Sequence, residues 1–172
     1  MAIHLCIDFP EDKLIWDVGH QSYVHKILTG RRDKLDTIRQ FGGISGFPRI
    51  NESETDAVNS GHASTSVSAA LGYAMSRKIQ CKDNKIFAVI GDGSMTGGLF
   101  YEALNNAASV KSNIIIVLND NNMSISRNVG GMSSYLTKLR TDNRYIRLKE
   151  NTKDAIMNIP GIGNAVVEKV KR

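Results

Sequence analysis

Two cysteines in 172 residues leave little scope for covalent cross-linking. Neither Cys6 nor Cys81 has a second Cys or a His at metal-ligand spacing. That excludes a disulfide framework or zinc site and predicts two reduced thiols packed in or near a core. No apolar run approaches the roughly 20 residues that a bilayer-crossing helix needs, so no membrane partner is expected. The opening residues, MAIHLCIDFPEDK, place no basic flank before their short apolar run. They do not read as a secretory leader, and the expected location is cytoplasmic. Internal repeats and low-complexity stretches are also lacking.

What is there is ordinary for a soluble globular chain: 41% hydrophobic and 23% charged residues, at a length that fits one domain, residues 1–172, with a real core. The net charge of +5 is confined to one end, where positions 138–172 hold nine Lys and Arg against four Asp and Glu. A basic end can signal nucleic acid or a membrane surface, but it also describes a solvated helical tail.

Three apolar runs read as buried parallel strands: Leu14-Ile15-Trp16, positions 86–90 and positions 114–118. Between them, positions 64–78 are rich in Ala, Ser and Leu at helical spacing. Gly97-Gly98 opens a second helix with Leu99, Ala103 and Leu104 on one face. Strand–helix–strand order implies right-handed crossovers and a doubly wound, mainly parallel α/β sheet with helices on both faces. Positions 42–49, GGISGFPR, form a glycine-rich loop too flexible for an element interior.

The chemistry concentrates between positions 86 and 123. One strand runs directly into Gly91-Asp92-Gly93-Ser94, and the next into Asn119-Asp120-Asn121-Asn122. In open α/β sheets ligands gather at the carboxyl ends of strands, so both clusters are expected to face one crevice. Asn121 follows Asp92 by 29 positions, the length of one strand–helix–strand crossover. A carboxylate and an amide carbonyl, completed by backbone and phosphate oxygens, suit octahedral magnesium. The glycines beside Asp92 allow close approach to a diphosphate, and the following helix N-terminus adds donors and partial positive charge. Read one cluster at a time, the same residues are also compatible with a plain turn and a plain loop.

Gly91-Asp92-Gly93, a gap of under thirty residues and Asn121-Asn122 resemble the magnesium–diphosphate signature of thiamine-diphosphate enzymes. Four longer words narrow the resemblance: WDVGHQSYVHKILTGRR (16–32), GGISGFPR (42–49), GHASTSVSAALG (61–72) and NDNNMSIS (119–126). Together they resemble the 1-deoxy-D-xylulose-5-phosphate synthase family, in its order and over nearly the whole chain.

The resemblance implies thiamine diphosphate and Mg2+ as cofactors, with Asp92, Asn121 and the Met123 carbonyl as metal ligands. Gly93 and Ser94 would touch the diphosphate, while His20, Gly61, His62, Ala63 and Asn121 would contact the cofactor. Ala63 stands where the family usually has serine, which removes a hydroxyl but no backbone contact. Val24 stands where relatives often have proline. His20 and His62, each directly after a glycine, are the candidate catalytic residues, since imidazole can move protons or steady an oxyanion near neutrality. His4 and His25 lack that context and read as structural.

The implied reaction condenses pyruvate with glyceraldehyde 3-phosphate, with loss of CO2, at the start of non-mevalonate isoprenoid synthesis. A homodimer is implied too. In the family a glutamate from a pyrimidine-binding domain activates the cofactor. Neither that domain nor a C-terminal one is recognisable here, so the chain reads as an incomplete diphosphate-binding domain, inactive alone. Another transketolase-like enzyme would share Gly91-Asp92-Gly93 and Asn121 but not the longer words. A nucleic-acid-binding reading rests on positions 158–165, which imitate a helix-hairpin-helix before the basic tail. A helix start and a dipole-matched terminal turn explain that stretch equally well, and no nucleic-acid partner is expected.

Overall fold

The computed structural model describes residues 2–120 together with Gly131 and Lys138. The chain divides into two compact units, Met1–Asn128 and Val129–Arg172, and the fold below is that of the first. Asn121, Met123 and the hairpin-like stretch 158–165 lie outside the described residues.

Among the described residues three parallel strands form the sheet: β1 (Lys13–Trp16), β2 (Ile86–Gly91) and β3 (Ile115–Asn119), in the order β1-β2-β3. A short helix, α1 (Tyr23–Lys26), and a long one, α2 (Ser66–Ile79), lie between β1 and β2. A third helix, α3 (Gly98–Ser109), joins β2 to β3. Each strand falls within a residue of its expected position, and the parallel α/β architecture is the one the strand–helix alternation implies.

Central β2 is apolar throughout because both its faces are covered. Ile86, Ala88 and Ile90 alternate onto one face, against Val67, Ala70 and Ala74 of α2 and Phe100 and Ala103 of α3. Phe87 and Val89 point the other way, joining Leu14 and Trp16 under Ile3, Ile7 and Phe9. Among the described residues the two long helices therefore share one face, and the segment around positions 3–9 covers the other. Each fully buried side chain of this kind contributes about 1.5–3 kcal/mol.

Three expectations change. The apolar stripe of α3 is Phe100, Ala103 and Ala107, with Leu99 turned outward, because the stripe starts one position later in the helical repeat. Strand β3 is half-exposed at Ile115 and Leu118, since it is an edge strand with β2 as its one neighbour among the described residues. Cys6 and Cys81 are free, as expected, but exposed.

A buried ionic cluster lies beside this core. The Asp56 carboxylate accepts two hydrogen bonds from the Arg31 guanidinium (2.6 and 2.9 Å), one from His25 Nε2 (3.0 Å) and one from the Arg49 amide (2.9 Å). Burial alone would raise its pKa; the His25 and Arg31 hydrogen bonds, with that of the Arg49 amide, outweigh burial and hold it well below the usual carboxylate range. Because an ionised Asp56 can only accept, His25 carries its proton on Nε2, and its Nδ1 accepts from His4 Nε2 at 2.9 Å. Burial and the neighbouring His25 lower the His4 pKa. Fully buried Lys26 donates to Glu52 at 2.6 Å, and Glu52 also receives the Ser45 amide at 2.6 Å. The glycine-rich loop is thus pinned at Ser45 and at Arg49, not free as its composition suggests.

Asp56→Ala strands Arg31 and His25 among buried groups, and urea unfolding at pH 7 is expected to show a loss of about 3–5 kcal/mol. A depressed carboxylate pKa stabilises fully above the unfolded value of 3.8 and loses that contribution as pH falls below it. The gap between wild type and variant should therefore narrow in acid. A loss under about 1 kcal/mol at pH 7, the size expected of an exposed ion pair, would show the cluster to be incidental.

Candidate functional site

The register sets the carboxyl ends of the strands together. Gly91 pairs with Asn119, so β2 and β3 end level, and β1 ends two residues earlier, with Trp16 opposite Val89 and the Asp17 amide donating to the Val89 carbonyl at 2.8 Å. Each strand then opens into a polar segment: Asp17-Val18-Gly19-His20-Gln21 from β1, Asp92-Gly93-Ser94 from β2, and Asp120 after β3.

A fourth segment, Gly61-His62-Ala63-Ser64, is drawn to this edge by Asp17. The carboxylate of Asp17 is wholly buried and accepts the amides of Ser64 (2.9 Å) and Ser66 (3.1 Å). It thereby caps the start of α2 from outside the helix, where the Thr65 side chain makes no capping hydrogen bond. Ser64 Oγ donates to the Ser94 carbonyl at 2.5 Å and joins this segment to the one after β2. Gly97 is required there, since an added Cβ would lie 2.1 Å from that hydroxyl. Val18 and Ser64, flanking the two candidate histidines, both adopt left-handed backbone, with φ of 60° and 70°. Such strain persists only where surrounding contacts over-determine it, and it clusters at functional sites.

His20 and His62 are both exposed at this edge, unlike the wholly buried His25. His62 Nδ1 donates to the Ala63 carbonyl at 2.9 Å, which leaves Nε2 as the acceptor nitrogen. Asp92 directly follows β2, between Gly91 and Gly93, and Ser94 opens the short 3₁₀ turn that leads to α3. Among the described residues no side chain caps the N-terminus of α3, which leaves its first amides facing the end of β2 as donors for an anion. The structure thus brings His20, Gly61, His62, Ala63, Asp92, Gly93 and Ser94 to the strand ends.

Gln21 adds a feature that the motifs alone do not single out. Its Oε1 accepts from Asn119 Nδ2 at 2.9 Å, which links the β1 segment to the end of β3. Its Nε2 is buried without a partner among the described residues and lies 3.5 Å from where a Cβ on Gly91 would stand. An orphaned donor beside glycines, with a hard carboxylate next in sequence, fits the anionic end of a diphosphate and its metal ion. Among the described residues no three His, Cys, Asp or Glu side chains cluster, so a metal here would draw on Asp92 together with backbone, amide and ligand oxygens. A separate hollow of about 800 Å³ beside the glycine-rich loop is lined by Arg39, Ser45, Arg49 and Asn59 and by none of these site residues.

The comparisons agree along the chain. A family model described as 1-deoxy-D-xylulose-5-phosphate synthase matches residues 1–172. The 1-deoxy-D-xylulose-5-phosphate synthase of Syntrophomonas wolfei is 60% identical over 163 residues, covering 95% of this chain and 26% of that protein. The protein of the same name from Lachnoclostridium phytofermentans is 56% identical over 100% of this chain and 28% of its own length. Among solved structures, transketolase from Campylobacter jejuni matches with a TM-score of 0.62 at 27% identity, over 81% of this chain and 23% of that one. The chain spans about a quarter of the length of the curated relatives it matches.

Asp17→Asn keeps the shape but replaces one amide-accepting oxygen with a donor. Thermal unfolding is expected to show a loss of about 1–2 kcal/mol, as for a deleted helix cap. The His62 imidazole resonance should move in the same variant. An unmoved His62 signal would separate Asp17 from the site.

Proposed function

The chain belongs to the 1-deoxy-D-xylulose-5-phosphate synthase family, and from that premise we propose that it is the diphosphate- and magnesium-binding portion of a longer thiamine-diphosphate-dependent synthase. The observation that carries this reading is the polar edge itself: Asp92 between two glycines at the end of β2, with exposed His20 and His62 brought to the same strand ends. When bound, thiamine diphosphate would supply the electron sink for decarboxylating pyruvate and passing a two-carbon unit to glyceraldehyde 3-phosphate.

In this proposal Asp92, Asn121 and the Met123 carbonyl hold Mg2+, and Gly93, Ser94 and the first amides of α3 receive the diphosphate. Gly61 and Ala63 offer backbone contacts. His20 and His62 carry protons or steady developing negative charge beside the reacting carbon. The functional protein would be a homodimer. Supporting this, Val24, Ile27 and Leu28 stand exposed at i, i+3 and i+4 in and just after α1.

Metal-dependent binding tests the diphosphate site. In calorimetry of the full-length protein with Mg2+ and thiamine diphosphate, Asp92→Ala should abolish measurable binding, since the one charged ligand is gone. Asn121→Ala should weaken it about tenfold, equivalent to ~1.4 kcal/mol. Wild-type affinity in Asp92→Ala would remove Asp92 from the site.

Turnover tests the histidines. His20→Asn and His62→Asn are each expected to lower kcat about 10²–10⁴-fold, the usual contribution of proton transfer, with little change in melting temperature. Normal activity per folded molecule together with a large fall in melting temperature would make them packing residues.

A further inference from the structure

We propose that Phe47 is a positioning residue, whose ring spaces the two Gly-His pairs, Gly19-His20 and Gly61-His62, at the carboxyl edge of the sheet; this rests on the cofactor reading above. The ring lies against both glycines. A Cβ added to Gly19 would stand 2.4 Å from Phe47 Cδ1 and 2.8 Å from the Gly46 carbonyl, so the backbone before His20 touches the loop directly. A Cβ added to Gly61 would meet the same ring at 3.7–4.0 Å, ordinary contact distance. The separation of the two backbones ahead of the histidines is therefore set by the bulk of one aromatic ring.

The ring is itself held. The Arg39 guanidinium lies over it, 5.5 Å from the centroid, and Arg39 Nε donates to the Tyr23 hydroxyl. The Phe47 amide donates to Ser45 Oγ at 3.1 Å. On either side, the Ser45 and Arg49 amides are bound by Glu52 and Asp56 of the buried ionic cluster. Ser60 completes the lacing: its amide donates to the Pro48 carbonyl at 3.3 Å and its hydroxyl to the Val18 carbonyl at 2.7 Å. Segments around Val18, Phe47 and Ser60 thus form one hydrogen-bonded unit. A flat side chain with two rotatable bonds is well suited to hold a fixed gap within it.

The test has two readouts. In the 172-residue chain without cofactor, long-range 1H–15N spectra of the four imidazoles, assigned with single His→Asn variants, report local environment. Phe47→Ala is expected to move both the His20 and His62 signals and to leave His4 and His25 in place, while Phe47→Tyr, which keeps the ring, stays at wild-type positions. Phe47→Leu, a milder change, should move the same two signals by less and serves if the alanine variant fails to fold. Movement of neither signal, of only one, or of all four alike would overturn the proposal.

In the full-length protein, Phe47→Ala should weaken thiamine diphosphate binding about tenfold. In a His20→Asn/His62→Asn background it should weaken binding less than twofold, because the effect passes through the histidines. Equal losses in both backgrounds would make the role merely structural and overturn the proposal. A wild-type protein that binds no thiamine diphosphate would sink the cofactor reading, while the spectra of the free chain would still decide the positioning role.

Discussion

Asp56 gathers Arg31, His25 and the Arg49 amide onto one buried carboxylate, and the layout between β1 and α2 depends on that arrangement. An ion removed from water is tolerated only when its lone pairs are taken up by donors, and here they are. The donors come from positions 25–31 and from position 49, so the stretch 38–65, which holds no helix or strand, acquires a fixed path. The Lys26–Glu52 pair extends the same device to Ser45. A region with few buried apolar side chains is thereby held by charge as well as by the packing of Ile44, Ala57 and Val58, and its glycine-rich loop keeps a defined shape.

That shape reaches the sheet through side chains that bear directly on backbone. Phe47 bears on Gly19 and Gly61, Ser60 bridges Pro48 and Val18, and Asp17 draws Ser64 and Ser66 to the end of β1. Positive φ at Val18 and Ser64 is what these constraints impose on residues that would avoid it if free. The consequence for chemistry is preorganisation. His20 and His62 are presented by a backbone whose position is set elsewhere, so their rings can remain exposed to a ligand.

How much of this is legible in the sequence depends on the kind of interaction. Strands β1 and β2 are readable because burial on both faces writes a continuous apolar run, and the place of Gly91-Asp92-Gly93 at the end of β2 is readable because that run stops at a glycine followed by a charge. The outward turn of Leu99 is not readable from composition, since a stripe beginning at Leu99 or at Phe100 satisfies the same helical spacing. The exposure of Ile115 and Leu118 is equally hidden: an edge strand and a central strand can carry the same β-branched run. Asp17, Gln21 and Phe47 sit inside conspicuous motifs, yet their roles depend on partners 47 to 98 positions away or on a shape fit to glycine, and no local pattern encodes either. His25 is the instructive case. It reads as structural because no glycine precedes it, and it is structural because Asp56, 31 positions later, takes its proton-bearing nitrogen.

The two edges of the sheet use their polar groups differently, and the difference agrees with the site proposed at the carboxyl edge. At the amino edge Asp12 accepts the Lys85 and Asp8 amides, and the Arg77 guanidinium donates to the carbonyls of Asn84 and Asn113, just ahead of β2 and β3. Those charges close loops onto strand starts, and a ligand that drew them away would loosen the fold. At the carboxyl edge Asp17 and Ser64 do similar work, but other groups there keep free capacity: the Gln21 amide nitrogen lacks a partner among the described residues, and His20 and His62 stand exposed. A buried donor left unsatisfied is destabilising by about 1–3 kcal/mol, and in the proposed reading the Gln21 nitrogen beside glycine-flanked Asp92 would meet the anionic end of the ligand. Carboxyl ends of parallel strands suit such a state, because the amides that open the following helices converge there on an anion.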